Sequence, residues 1–217
     1  MTSLLTRRAF VGATVALGAS AAIGGLSAHA RAGGAGEEPV VTPSWRFAGG
    51  DGMTRRILVG YATRTGSTVG VAQAIGRVLG TRGFGVDVQP LREGPRLDGY
   101  DAVVLGSAVN GGAWLPEAVG FVRDRQDALV RVPVALFCVH IMNLGEDEKA
   151  RKRRLAYLDP VRALVRPVDE AFFAGVGPDA RNTSLIARWA FRAFGGGGEG
   201  DLRNWDAIRA WAEAVHA

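Results

Sequence analysis

A chain of 217 residues, 47% of them apolar, suits one globular domain with a sizeable core plus a tail. The net charge is +5, and setting aside Arg7 and Arg8 of the N-terminal segment leaves 24 basic against 21 acidic residues, too weak and too evenly spread for a nucleic-acid surface. The sole cysteine, Cys138, excludes an internal disulfide, and its place in an apolar run marks a buried thiol rather than a nucleophile or metal ligand.

Residues 1–30 read as a targeting signal. Thr6-Arg7-Arg8-Ala9-Phe10-Val11 precedes a mildly apolar run to Leu26, and Ser27-Ala28-His29-Ala30 offers small residues for cleavage. Paired arginines before such a run are similar to a twin-arginine export signal, which carries proteins already folded around a cofactor. Two other readings stand beside export: an uncleaved anchor, or translation from Met53, which would leave the protein at the cytoplasmic face of the membrane. Residues 31–54 are rich in Gly, Pro, Glu and Ala and read as a flexible linker, in which Trp45 and Phe47 are candidates to pack back on the domain. The folded domain is expected over 55–217.

Ile57 to Ala62 is a short apolar run of the kind that makes a buried strand. It breaks into Thr63-Arg64-Thr65-Gly66-Ser67-Thr68, and a helical spacing of Val69, Ala72, Ile75 and Leu79 follows at once. Strand, hydroxyl-rich loop and helix N-terminus make an anion site: the first amides of a helix lack partners inside it, and the dipole there favours negative charge. The loop is neither a Walker A sequence nor a three-glycine dinucleotide pattern. On its own it is equally an ordinary strand–loop–helix with a Ser or Thr cap.

Gly83 and Gly85 bracket a turn before Val86-Asp87-Val88-Gln89-Pro90, which alternates like an edge strand. Asp101 to Ser107 predicts a third, buried strand, and the Ala108–Leu115 loop leads to a helix opened by Pro116. Val132 to Val139 predicts a fourth strand buried on both faces. Beyond the His140–Gly145 loop, Asp147 and Arg151, and Glu148 and Lys152, are spaced for ion pairs on a solvated helix. Val168 to Ala174 predicts a fifth strand. An insertion at about 177–203 holds Leu185 to Phe194, an apolar helix with Arg188 and Arg192 one turn apart. Either it covers the domain and leaves both arginines exposed, or it meets a membrane surface, a quinone or an anionic substrate. A last amphipathic helix carries Trp205, Ile208, Ala212 and Val215, with Asn204 as its cap.

Alternating strands and helices predict an α/β fold: a doubly wound five-stranded parallel sheet of order 2-1-3-4-5, with helices on both faces. In that order the loops after the first and third strands meet at the switch point, where ligands bind.

Tyr61-Ala62-Thr63-Arg64-Thr65-Gly66-Ser67-Thr68 resembles the phosphate loop of the flavodoxin-like family, and Tyr100 to Ala108 resembles its third strand and the start of the loop beside the flavin. Within that family the chain is most similar to the menaquinone-dependent protoporphyrinogen oxidase branch, through this loop, the insertion, and Gly200-Asp201-Leu202-Arg203-Asn204-Trp205 before the last helix. The resemblance implies an FMN oxidoreductase that takes hydride from a reduced substrate and passes electrons to a quinone. The alternative is a non-catalytic electron carrier working between redox partner proteins outside the cytoplasm.

It also implies the site. Thr63, Arg64, Thr65, Gly66, Ser67 and Thr68 would hold the FMN phosphate, and Ser107, Ala108, Asn110, Gly111 and Gly112 would border the ring. Trp114 is a candidate to stack on one ring face or to pack in the core. Residues 139–143, Val139 and His140 among them, would lie near the other face, His140 being equally a hydrogen-bonded loop residue. Arg188 and Arg192 would contact substrate or membrane. No metal-ligand cluster and no catalytic triad stands at a recognisable spacing.

Overall fold

The computed structural model describes residues 40–48, 55–178, 185–193 and 196–216. The expected signal, most of the expected linker, Met53 and part of the insertion lie outside them.

Among the described residues the sheet has seven strands rather than the expected five, and it is mixed. β1 is Trp45–Phe47, β2 Arg56–Ala62, β3 Gly85–Pro90, β4 Ala102–Asn110, β5 Ala113–Trp114, β6 Val134–His140 and β7 Asp169–Ala174. Five of them are parallel and lie side by side as β3-β2-β4-β6-β7. β1 adds an antiparallel strand outside β3, and β5 is a two-residue antiparallel return on the end of β4. Hence β3 is not an edge strand. Its alternating pattern arises because Asp87 is buried and paired: it accepts hydrogen bonds from Arg46 Nε (2.6 Å), Arg56 (2.8 Å) and the Tyr100 hydroxyl (2.8 Å).

The central strands read as continuous apolar runs because each face has its own core. Ile57, Val59 and Tyr61 of β2 join Val104 of β4 and Phe137 of β6 under two helices, α1 (Ser67–Thr81) and α7 (Trp205–Ala214). Leu58, Ala62, Leu105, Leu136 and Cys138 point the other way, onto α2 (Pro116–Asp124), α3 (Gln126–Leu129) and α5 (Asp159–Arg162). Side chains alternate in direction along a strand, so two cores with period 2 sum to an unbroken hydrophobic sequence. Phe137 lies flat against β4 at Gly106, where a Cβ would fall 1.9 Å from the ring.

Helix ends follow their expected chemistry in two cases. Pro116 opens α2, and Asn204 caps α7 by accepting from the Ala207 amide at 3.0 Å. The charged run after β6 differs in detail. Asp147 caps α4 (Glu148–Leu155) through the Ala150 amide, and Glu148 pairs with Arg151 at 3.8 Å, three residues on instead of four. α6 spans Leu185–Ala193. The two arms of the insertion are joined at its base: the Gly177 amide donates to Gly200 O at 2.7 Å, and the Leu202 amide to Gly175 O at 3.1 Å.

Candidate functional site

α1 begins at Ser67, so Ser67 and Thr68 belong to its first turn and the loop proper is residues 63–66. Gly66 is the N-cap residue with φ of 91°, a left-handed conformation that suits glycine. Thr63 Oγ1 accepts from the Gly66 amide at 3.0 Å and closes the loop. No side chain caps α1 and no acid stands in its first turn, in contrast to α4 and α7. Thr68 is fully buried, and its hydroxyl is without a partner among the described residues. A helix start without a side-chain cap, with one buried hydroxyl unsatisfied, is prepared for an external acceptor.

Four loops at the carboxyl ends of β2, β4, β6 and β7 converge here. A cleft of about 150 Å³ brings together Arg64, Thr65, Ser67, Ala108, Asn110, Val139 and His140. It adjoins a second cavity of about 390 Å³ that shares Asn110 and His140 and adds Gly111, Gly112, Met142, Asn143 and Tyr157. Gly111 and Gly112 both have positive φ, 63° and 84°, so the β4–β5 turn depends on residues without a Cβ.

Two candidate ring contacts take other roles. Trp114 is buried in the core and donates its indole N–H to Cys138 Sγ at 3.0 Å, so it is not placed to stack in the cleft. Its packing follows from β5, which turns the residue back under β4. Ser107 Oγ accepts from the Leu115 amide at 3.1 Å and donates to Ala108 O at 2.8 Å, closing the 108–115 loop from inside. Burial pushes the Cys138 thiol up to about 12, so it stays protonated and inert.

His140 is buried, and its Nδ1 lies 2.8 Å from Met142 O. A carbonyl only accepts, so Nδ1 carries the proton and Nε2 keeps its lone pair. Burial holds this imidazole down to about 4, and it is neutral at physiological pH. The ring packs against Tyr157, with centroids 5.4 Å apart. Tyr157 donates to Met142 O at 3.2 Å and accepts from the Asn143 side chain at 2.6 Å. Arg154 braces the same loop through Asn143 O and Gly145 O. Asn143 belongs to the 139–143 stretch expected near the ring, whereas Tyr157 and Arg154 had no signal in the sequence as site residues.

Arg203 joins the site from the far side of the insertion. Its guanidinium donates two hydrogen bonds to the Asp201 carboxylate and its backbone amide a third, and the guanidinium lies 4.5 Å from the Trp205 ring centroid and reaches Ser67 O at 3.4 Å. These bonds hold the Asp201 carboxyl down to about 2. Arg192, on α6, pairs with Glu199 at 3.5 Å; the Arg188 side chain lies outside the described residues.

A family model described as a flavodoxin domain matches residues 58–177, which include the phosphate loop and all four converging loops up to Gly177. The chain belongs to the flavodoxin domain family. FMN is the cofactor of this domain, and the switch-point rule has flavodoxin itself as a type example.

Solved structures show only distant likeness. A short-chain flavodoxin associated with a non-canonical PDU bacterial microcompartment is 16% identical, with 75% of this chain and 97% of that one covered at a TM-score of 0.47. Flavodoxin 1 from Bacillus cereus is 15% identical over 62% of this chain and 93% of its own, TM-score 0.42. The chain covers 37% of rubredoxin oxygen:oxidoreductase from Desulfovibrio gigas, with 75% of this chain aligned at 12% identity and a TM-score of 0.39. At such scores these structures add nothing to the family match. Comparison with curated proteins gives no match.

The residues present fit the cofactor. Thr65, Ser67 and Thr68 offer hydroxyls at the uncapped start of α1, Arg64 adds a cation, and the adjoining cavity has a glycine turn on one side and the His140–Tyr157 pair on the other. Bound there, FMN would supply the redox chemistry, and the chain would orient it and set its electrostatic surroundings.

Proposed function

We propose that this flavodoxin-domain protein is an FMN-dependent electron-transfer protein. The observation that carries the proposal is the phosphate cradle, an uncapped helix start with the buried, unpartnered Thr68 hydroxyl, opening on a glycine-edged cavity. Within the cavity Gly111 and Gly112 leave room for close approach to a planar ring, and neutral His140 presents no charge to it. The test is the visible spectrum of the purified protein, identification of the released flavin, and a redox titration. Two separate one-electron steps are expected; a single two-electron step would count against a carrier.

A second reading is a quinone-linked oxidoreductase of the protoporphyrinogen oxidase type. Its support is the Gly200–Trp205 segment, in which Arg203 fastens the base of the insertion to the start of α1 beside the flavin cleft. Complementation of a strain lacking protoporphyrinogen oxidase, with the chain from Val40 onward kept in the cytoplasm, tests it. Soluble, FMN-loaded protein without rescue would argue strongly against this reading. Export before function is a further part of the proposal, and fractionation of cells carrying wild-type or Arg7→Lys/Arg8→Lys protein tests it.

A further inference from the structure

Three large apolar side chains stand in solvent on a nine-residue helix. α6 exposes Leu185 (76%), Ile186 (81%) and Trp189 (73%). At 100° per residue, positions 185, 186 and 189 fall within an arc of roughly 100°. Phe191 lies on the opposite side of the helix and packs on Gly196, whose amide also donates to Phe191 O at 2.9 Å. The outward arc is therefore the apolar one, the reverse of a helix that covers a core.

Cations flank this arc, with two acids engaged among them. The helix sequence has Arg188 and Arg192 and no acid, and Arg192 is largely exposed even though it reaches Glu199. Across a cavity of about 600 Å³, lined by Ala193 and Gly196, stand Lys149 and Arg153 of α4. Asp147 shares that lining, but its carboxylate is engaged in capping α4. Leucine, isoleucine and tryptophan flanked by cations make the composition of a helix that lies in a membrane interface. Among the described residues no helix is long and apolar enough to cross one.

We propose that α6 docks the domain onto an anionic lipid bilayer, with Leu185, Ile186 and Trp189 in the interfacial layer. The exit from α6 is joined to the loop beside the cleft: the Gly197 amide donates to Ile141 O at 2.8 Å, and Gly196 pairs with Met142. Docking thus brings the cleft near the lipid.

The test uses the full FMN-loaded chain with vesicles of phosphatidylglycerol and phosphatidylcholine carrying brominated acyl chains. Tryptophan emission is expected to be quenched, with the quenching largely lost in Trp189→Phe. Leu185→Ser/Ile186→Ser, which alters only exposed side chains, is expected to weaken vesicle co-sedimentation about tenfold or more. Equal quenching in wild type and Trp189→Phe, or unchanged co-sedimentation of the double variant, would overturn the proposal. So would self-association that the double variant abolishes in a protein that lipid does not quench, which would assign the patch to a second copy. Flavin absorbance of the same samples separates the two readings: colourless protein that still docks overturns the FMN reading alone, and loaded protein that does not dock overturns the docking alone.

Discussion

Thr68→Val sets folding against binding at one atom. The two side chains have nearly the same shape, and the hydroxyl that is removed is fully buried and without a partner among the described residues. A buried hydroxyl without a hydrogen bond costs about 1–3 kcal/mol, so its loss relieves the apoprotein of part of that penalty. Valine at an α1 position offsets some of the gain through its lower helix propensity, by a few tenths of a kcal/mol. The apoprotein is therefore expected to gain about 1 kcal/mol in urea denaturation. FMN binding moves the opposite way. A hydrogen bond to a charged phosphate contributes about 1.5–3 kcal/mol, so the flavin Kd should rise roughly 10- to 150-fold. The assays are urea titration of the apoprotein and quenching of flavin fluorescence on titration with it. A destabilised apoprotein with an unchanged Kd would refute the reasoning, because the hydroxyl would then serve the fold and not the phosphate.

Three further outcomes follow from other parts of the structure. Asp87→Asn should destabilise the domain by about 1–3 kcal/mol in urea denaturation, because it weakens the bonds from Arg46, Arg56 and Tyr100. Burial raises the Asp87 carboxyl, but the bonds from Arg46, Tyr100 and Arg56 outweigh it and leave it below the ordinary value. Its contribution is therefore full above that ordinary value and is lost as pH falls through the lowered one; the deficit of the variant should shrink in the same direction. His140 has the opposite chemistry with the same sign: burial lowers it to about 4, so the unfolded chain takes up a proton first as pH drops. The apoprotein should lose up to about 3 kcal/mol between roughly pH 6.5 and 4 on this account, and His140→Gln should flatten that part of the profile. Gly106→Ala should lower stability by about 1–3 kcal/mol in thermal denaturation, since the new Cβ meets the Phe137 ring.

The strands and the phosphate loop were legible because each rests on local chemistry. Ile57–Ala62 is apolar on both faces, and Thr63–Thr68 holds hydroxyls beside a glycine that must adopt positive φ. β1 was hidden in a Gly- and Pro-rich stretch: three residues form a strand there because Arg46 finds Asp87 and Trp45 and Phe47 find the core. Neither partner is adjacent in sequence. Trp114 shows the limit most clearly. Its place in a loop beside the cleft left stacking and core packing equally open, and β5 decides for packing by turning the indole onto Cys138, 24 residues away. Tyr157 and Arg154 were likewise invisible, since the loop carbonyls they bind lie 9 to 15 positions earlier in the chain. Local pattern reveals which segments meet at the switch point, and long-range packing decides which side chains face into it.

β1 also has a bearing on where a shorter product of this gene would fail. A polypeptide started at Met53 would lack Trp45–Phe47 and the Pro43 carbonyl to which the Tyr61 hydroxyl donates at 2.7 Å. The outer rim of β3 would then present a row of bare peptide groups, a template on which another chain can add itself. Such a product should be prone to sheet-to-sheet clumping even with its phosphate cradle intact, and restoring only the stretch from Val40 should keep it monodisperse.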